Sequence, residues 1–195
     1  MIAACPLDQE RFFSMIYRFI LVGLLAVPVL CNAQPVAIVS EQGATAAIVI
    51  PDNAQEITVY AAGEFASHVE RATGHLIGMV KESEAPAEGA RVYLGPTRAA
   101  AEAGIDVNSL PPEAFVFRST GGNLFIAAQD GPGDPISTGN THAGALWGVY
   151  EVLERELGVR WLWPGELGTV IPTRRSLIIG EINEMIAPRY QQRNI

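Results

Sequence analysis

Four apolar residues, Leu146, Tyr150, Leu153 and Leu157, recur at spacings of 4, 3 and 4 within "GALWGVYEVLERELGVRWLWPGELGTVIP", residues 144–172. That spacing puts them on one stripe of an α-helix, which must bury the stripe against another element. Glu151 and Arg155 fall on a second stripe at i, i+4 and are placed to pair. Gly158 follows the last apolar position, where a left-handed C-terminal cap favours glycine. Gly144 and Gly148 lie one turn apart, and each weakens a helix relative to alanine. The compensation expected is a close approach of helix backbone to sheet.

Beyond Gly158, Val159, Trp161 and Trp163 alternate with Arg160 and Leu162 before Pro164-Gly165 turns the chain. Alternation predicts that Trp161 and Trp163 share one face. An indole either fills a helix–sheet core or presents a flat apolar face to a ligand such as a sugar. Beside the Leu146–Leu157 stripe, core or domain interface is the expectation for the pair, with a sugar-stacking surface as the alternative. Trp147, inside the helix, is expected in the core.

Elsewhere "ATAAIVI", Ala44 to Ile50, is β-branched and stopped by Pro51-Asp52-Asn53, which predicts a strand. A second short strand is expected at Glu56 to Tyr60. Ala61, Phe65, His68 and Ala72, with Val69 beside them, define a helix face over 61–73 that Gly74 closes. "ARVYLGPT" is a further strand, ended by Gly95-Pro96, and the stretches around it, 83–89 and 99–112, read as surface connections, the second with a short helical turn. Phe115 to Phe117 and Leu124 to Ala128 flank Gly121-Gly122 as a β-hairpin. The Gly- and Pro-rich loop "DGPGDPISTGNT" follows, and Asn140 or Thr141 is placed to cap a helix over 141–157. Val170-Ile171 and Leu177 to Ile179 read as closing strands. The sum is an α+β domain: a mixed β-sheet with two α-helices packed on one face.

Residues 1–33 do not belong to that domain. Met15 opens a segment with one cation, Arg18, then an apolar run from Phe19 to Leu30 and Cys31-Asn32-Ala33. This is a signal peptide in outline, with cleavage expected before Gln34 and export to the periplasm or the extracellular space. The run falls short of the roughly 18–20 residues that span a bilayer, and Leu30 is not the small residue a lipoprotein cysteine needs before it, so membrane contact is expected only through the signal segment. The segment carries Asp8, Glu10, Arg11 and Arg18, so its loss leaves the net charge at -8. A chain so acidic is a poor partner for nucleic acid. Both cysteines, Cys5 and Cys31, leave with it, so the mature domain relies on an apolar core and not on disulfides.

The chemistry-bearing motifs are largely absent. His68, His75 and His142 lack metal-ligand spacing, and Asp130 with Asp134 lacks the further ligands of a calcium loop, so no metal is expected. Neither a Gly-x-Ser-x-Gly elbow nor a phosphate-binding glycine loop occurs, and no cofactor is expected. Glu151, Glu154, Glu156 and Glu166 offer carboxylates of the kind glycoside cleavage uses, but the helical ones read as a solvated face and no catalytic residue is assigned.

The helix-and-tryptophan stretch, preceded by "AAGEFASHVERATG", resembles the N-terminal domain of bacterial alpha-glucuronidases and of related exported glycoside hydrolase-like proteins; more distantly it is similar to the second domain of beta-hexosaminidases. The resemblance covers roughly residues 44–188 and is most specific at the glycine-aromatic helix, Gly158-Val159-Arg160-Trp161 and Pro164-Gly165. It implies an accessory domain, residues 34–188, standing before a catalytic (β/α)8 barrel, whose first strand would begin in residues 189–195, "RYQQRNI". Pro188 and Arg193 keep the spacing at which, in beta-hexosaminidases, an arginine holds sugar hydroxyls, although Asn194 replaces the usual glycine. The function implied is that of a non-catalytic accessory domain of a carbohydrate-active protein, with the barrel or a polysaccharide as partner; the alternatives are a stand-alone carbohydrate-binding module or a secreted interaction domain. The candidate sugar-binding residues are Arg193, Trp161 and Trp163.

Overall fold

The computed structural model describes residues 34–134 and 142–189. The strands are β1 (Val36–Ser40), β2 (Gly43–Ala44), β3 (Ala46–Ile50), β4 (Met79–Lys81), β5 (Ala90–Leu94), β6 (Phe115–Thr120), β7 (Asn123–Ala128), β8 (Arg160–Trp161), β9 (Thr169–Val170), β10 (Leu177–Ile179) and β11 (Asn183–Ile186). The helices are α1 (Glu56–Thr73), α2 (Arg98–Glu102) and α3 (Gly144–Val152), the last continued by a π-helical turn, Leu153–Leu157.

The fold class is α+β. Six strands form a mixed sheet in the order β11-β6-β7-β5-β3-β4, parallel from β7 to β4 and antiparallel at β6 and β11. Alternate residues divide between its faces as the pleat requires. Ile48, Val92, Leu94, Leu124, Ile126, Phe115 and Phe117 meet α1, α3 and the strands β1 and β10 in the main core. Val49, Tyr93, Phe125 and Val116 face the other way, where Ala100 of α2, Ile105 and Val107 cover them. Strands β10-β1-β2 make a second sheet, and β8 with β9 a two-stranded ribbon.

The helix over 61–73 begins earlier than its pattern suggests, at Glu56, so the expected strand at Glu56 to Tyr60 is instead its first turns. Ile57 and Thr58 are buried and extend the stripe of Ala61, Phe65, His68, Val69 and Ala72. Burial of that stripe outweighs the β-branched preference of Ile57, Thr58 and Val59. Gly74 closes the helix in the left-handed region at φ 76, its N–H bonded to the Glu70 carbonyl at 2.7 Å. The β6–β7 hairpin turns through Gly121 and Gly122, both at positive φ (57 and 73), between the paired Thr120 and Asn123. Two such residues in a two-residue loop match the twist of the strands they join.

Helix α3 sits on β6 and β7 through its glycines. A Cβ on Gly144 would stand 2.7 Å from both the Ala114 carbonyl oxygen and Ala128 Cβ. One on Gly148 would collide with Ile126 Cγ2 and reach 3.0 Å from Phe115 Cδ2. This contact turns the helix: its buried arc includes Ala145, Val149 and Val152 as well as Leu146 and Leu153, and Tyr150 stands at the edge, only partly buried. The helix starts at Gly144 and not at 141. The expected caps Asn140 and Thr141 lie outside the described residues; Asp130 supplies a cap from β7's far end, its Oδ1 accepting the Ala145 N–H at 2.9 Å. Its Oδ2 accepts the Thr58 hydroxyl at 2.6 Å, so one carboxylate joins α1 to α3. At the opposite end, Arg174 donates its N–H to the Ala72 carbonyl (2.8 Å) and its Nε to the Leu157 carbonyl (3.3 Å). One residue thus serves two helix C-termini, its backbone N–H at α1 and its guanidinium after the π turn, where carbonyls have no partner within the helix.

Candidate interaction surface

The ribbon β8–β9 is short because the chain must turn immediately after Trp161. Arg160 pairs with Val170 and Trp161 with Thr169, and the Leu162 N–H then bonds the Gly168 carbonyl at 2.8 Å. Gly165 stands at φ 88, and Gly168 donates to its carbonyl at 3.1 Å through the 3-10 turn Glu166–Gly168. A Cβ on Gly168 would collide with the backbone of Trp163. The result is a closed tip that projects side chains outward: Leu162, Trp163 and Leu167 are 73%, 75% and 104% exposed.

The core expectation for the tryptophans is therefore corrected. Trp161 and Trp147 are each 40% exposed, and Trp163 far more. Strand alternation ends with Trp161, so it imposes no inward face on Trp163. Trp147 lies on the side of α3 that also carries Glu151 and Glu154, nearly opposite the arc that Ala145, Val149 and Val152 bury.

Two rings meet Trp161. Tyr150 meets it with centroids 5.1 Å apart and planes at 67°, and His68 at 5.7 Å and 61°, the tilted geometry that aromatic quadrupoles prefer. Trp147 approaches Tyr150 at 6.3 Å. Below them Tyr150 donates its hydroxyl to Glu64 Oε2 at 3.1 Å. Burial first, and then the negative charge of Glu64, pushes the Tyr150 phenol well above its ordinary range, so it stays a proton donor. His68 Nδ1 lies 2.9 Å from the Glu64 carbonyl oxygen and so carries the ring proton there; Glu64 Oε2 is 4.0 Å from the same nitrogen. The two rings that support Trp161 thus both touch Glu64. Tyr60, Glu64 and His68 lie four apart, one line along α1 facing α3. That i, i+4 line was readable in the sequence, but nothing there indicated that α3 would bring Tyr150 to it.

The other carboxylates are tied into the framework. Asp130 is buried, and the loss of solvent raises its pKa while the bonds from Ala145 and Thr58 pull it back. Arg155 holds Glu151 at 3.5 Å and Glu184 of β11 at 2.8 Å, and Arg160 lies 3.7 Å from Glu154. Glu166 is exposed on the hairpin tip. Among the described residues no group of three or more His, Cys, Asp or Glu side chains could hold a metal ion, and no helix is long and apolar enough to cross a membrane. Arg193 and residues 1–33, where a signal peptide is expected, lie outside the described residues.

No protein-family model matches the chain, and no curated protein matches it. A solved structure with which it shares a likeness is BtGH115A, a family GH115 4-O-methyl-alpha-glucuronidase described as specific for decorated arabinogalactans. The match is 16% identical at a TM-score of 0.46, over 78% of this chain and 18% of that one. The chain therefore spans less than a fifth of that enzyme's length.

Proposed function

We propose that this chain is a non-catalytic accessory domain of an exported carbohydrate-active protein, and that the β8–β9 hairpin tip is the face it turns toward a catalytic (β/α)8 barrel. The observation that carries the reading is the exposure of Leu162, Trp163 and Leu167 on a tip whose backbone is closed by its own hydrogen bonds. Apolar side chains exposed on such a tip gain by leaving water, at about 25 cal/mol per Å² covered, which favours their use as an interaction surface. The residues behind the resemblance to alpha-glucuronidase N-terminal domains, Gly158 to Trp161 and Pro164-Gly165, are those that build this hairpin. Export is proposed from the apolar run Phe19 to Leu30, and mature protein should then begin at Gln34 on N-terminal sequencing. Arg193 is assigned to sugar hydroxyls only in a chain that continues into the barrel.

The test is association. The purified chain is titrated into a separately expressed alpha-glucuronidase barrel by calorimetry, with the double variant Trp163→Ser, Leu167→Ser as the comparison. Binding that the double variant weakens at least tenfold supports docking through the tip. Equal binding by both proteins, no binding by either, or hydrolysis of aryl glycosides by the chain alone overturns the proposal.

A further inference from the structure

Strand β11 ends the main sheet, with β6 on one side of it and, among the described residues, no strand on the other. It hides little apolar surface: Asn183, Glu184 and Met185 are exposed and Ile186 is only partly buried. An edge strand that gains so little from burial depends on its ladder to β6 and on its polar side chains.

Those side chains are gripped from both faces of the sheet. Glu184 lies opposite Phe117 and Asn183 opposite Arg118, so the two successive residues point to opposite faces. On the core face Arg155 donates Nη1 to Glu184 Oε2 at 2.8 Å and Nη2 to Oε1 at 3.3 Å, with its Cζ 5.8 Å from the centroid of the Phe117 ring. On the other face Arg118 donates Nε to Asn183 Oδ1 at 2.7 Å and Nη1 to the Ala103 carbonyl, just beyond α2, at 3.1 Å. We propose that β11 is a detachable strap, clasped by Arg155 and Arg118, that opens from β6 as a unit while the rest of the domain stays folded.

The fixed half of the clasp is anchored in the core and the moving half is not. Leu153 and Leu157, both fully buried, hold the π turn that carries Arg155. Just before the strand, buried Ile182 donates its N–H to Ser119 Oγ at 2.9 Å and accepts the Ser119 N–H at 2.8 Å, which pins the chain where the strap would hinge. Arg155 and Glu184 meet in the two-pronged geometry that carboxylates favour, yet their side chains are 36% and 46% exposed, so salt screens the pair. Glu151, 3.5 Å from Arg155, keeps a carboxylate beside the guanidinium when Glu184 leaves, so opening strands no unpaired buried charge. The state of β11 sets how firmly the residues after Ile186 are tied to the sheet. This goes beyond the hairpin-tip reading, and neither depends on the other.

Hydrogen exchange of the purified chain tests the strap, read by mass spectrometry on peptides covering 183–186 and, for comparison, β7, each rate taken relative to that of the unfolded chain in the same buffer. In the parent, β11 should exchange about tenfold faster than β7 or more, through an opening that leaves the core closed. Glu184→Gln keeps the size of the side chain and removes its charge, and should speed β11 about two- to fivefold while β7 is unchanged. Sodium chloride at about 1 M should do the same to the parent and little to Glu184→Gln. Asn183→Ala, which removes the grip on the other face, should also speed β11 alone. Exchange of β11 and β7 together, through one global opening, overturns the strap, as do variants that speed both strands alike. Exchange of β11 unmoved by Glu184→Gln and by salt overturns the role of Arg155, and exchange unmoved by Asn183→Ala overturns that of Arg118.

Discussion

Gly148 and Gly168 both occupy places where no side chain fits, and they produce opposite surfaces. At Gly148 the atoms opposite are Ile126 and Phe115, so the missing Cβ draws a helix onto a sheet and buries the inner arc of Ala145, Val149 and Val152. At Gly168 the atoms opposite belong to the backbone of Trp163, so the missing Cβ folds a hairpin onto itself and leaves Leu162, Trp163 and Leu167 in water. A glycine that excludes its own Cβ therefore marks close approach, and what it approaches decides whether apolar neighbours are hidden or displayed. The α3 region is core by this criterion and the hairpin is surface.

The contrast can be broken by stability measurements. Leu153→Ala, at a fully buried position of the π turn, should cost the most, about 2–5 kcal/mol in urea unfolding, because a cavity remains where the helix meets the core. A cost under 1 kcal/mol would mean that this turn is not packed as described. Gly148→Val should follow at about 1–3 kcal/mol from overpacking against Ile126 and Phe115, against a gain in helix propensity that only partly offsets it. A stabilised valine variant would sink the close-approach account.

The polar cap beneath α3 sharpens the comparison through pH. Burial raises the folded-state pKa of Asp130 above its ordinary 3.8, so its protonated form is favoured in the folded chain. Its contribution is then fully present below the unfolded pKa and is lost as pH rises through the folded one. Relative to Asp130→Asn, which keeps an acceptor for Ala145 but does not titrate, the parent should lose stability as pH is raised from about 4 toward neutrality. A difference that is flat or grows with pH would show that the helix N-terminus and the two bonds outweigh burial. Smallest of all, Trp163→Ser should change stability by no more than about 0.5 kcal/mol, since the ring is already in water. A larger loss would place the hairpin in the folding core.

Much of the core was legible in the sequence, and the reasons are local. The stripe from Ala61 to Ala72, the Gly121-Gly122 turn, the Gly158 cap and the approach at Gly144 and Gly148 each follow from a spacing or from a conformation only glycine adopts readily. Strands β1, β4 and β11 escaped notice: β4 and β11 lie at the edges of the main sheet, where short strands with exposed residues show little alternation, and β1 is set by pairing with β10 far along the chain. The core half of the expectation for the tryptophans failed because alternation along Val159, Trp161 and Trp163 says nothing about where a strand stops. Glu64 and Tyr150 were missed because their meeting depends on how two helices cross, which no single window of sequence contains.

The pairing of β1 with β10 has a consequence in time. Val36 lies opposite Ile179, so the second sheet joins nearly the first and the last described segments of the chain. Closing so long a loop costs entropy before any contact repays it, and such pairings slow folding. Strand β1 can pair with β2 at once through Val39 and Ala44, but its other edge, from Val36, lacks a partner until β10 has been synthesised. Emerging from the ribosome, this domain can close its β6–β7 hairpin early, while the β1–β10 pairing waits for nearly the last of the described strands.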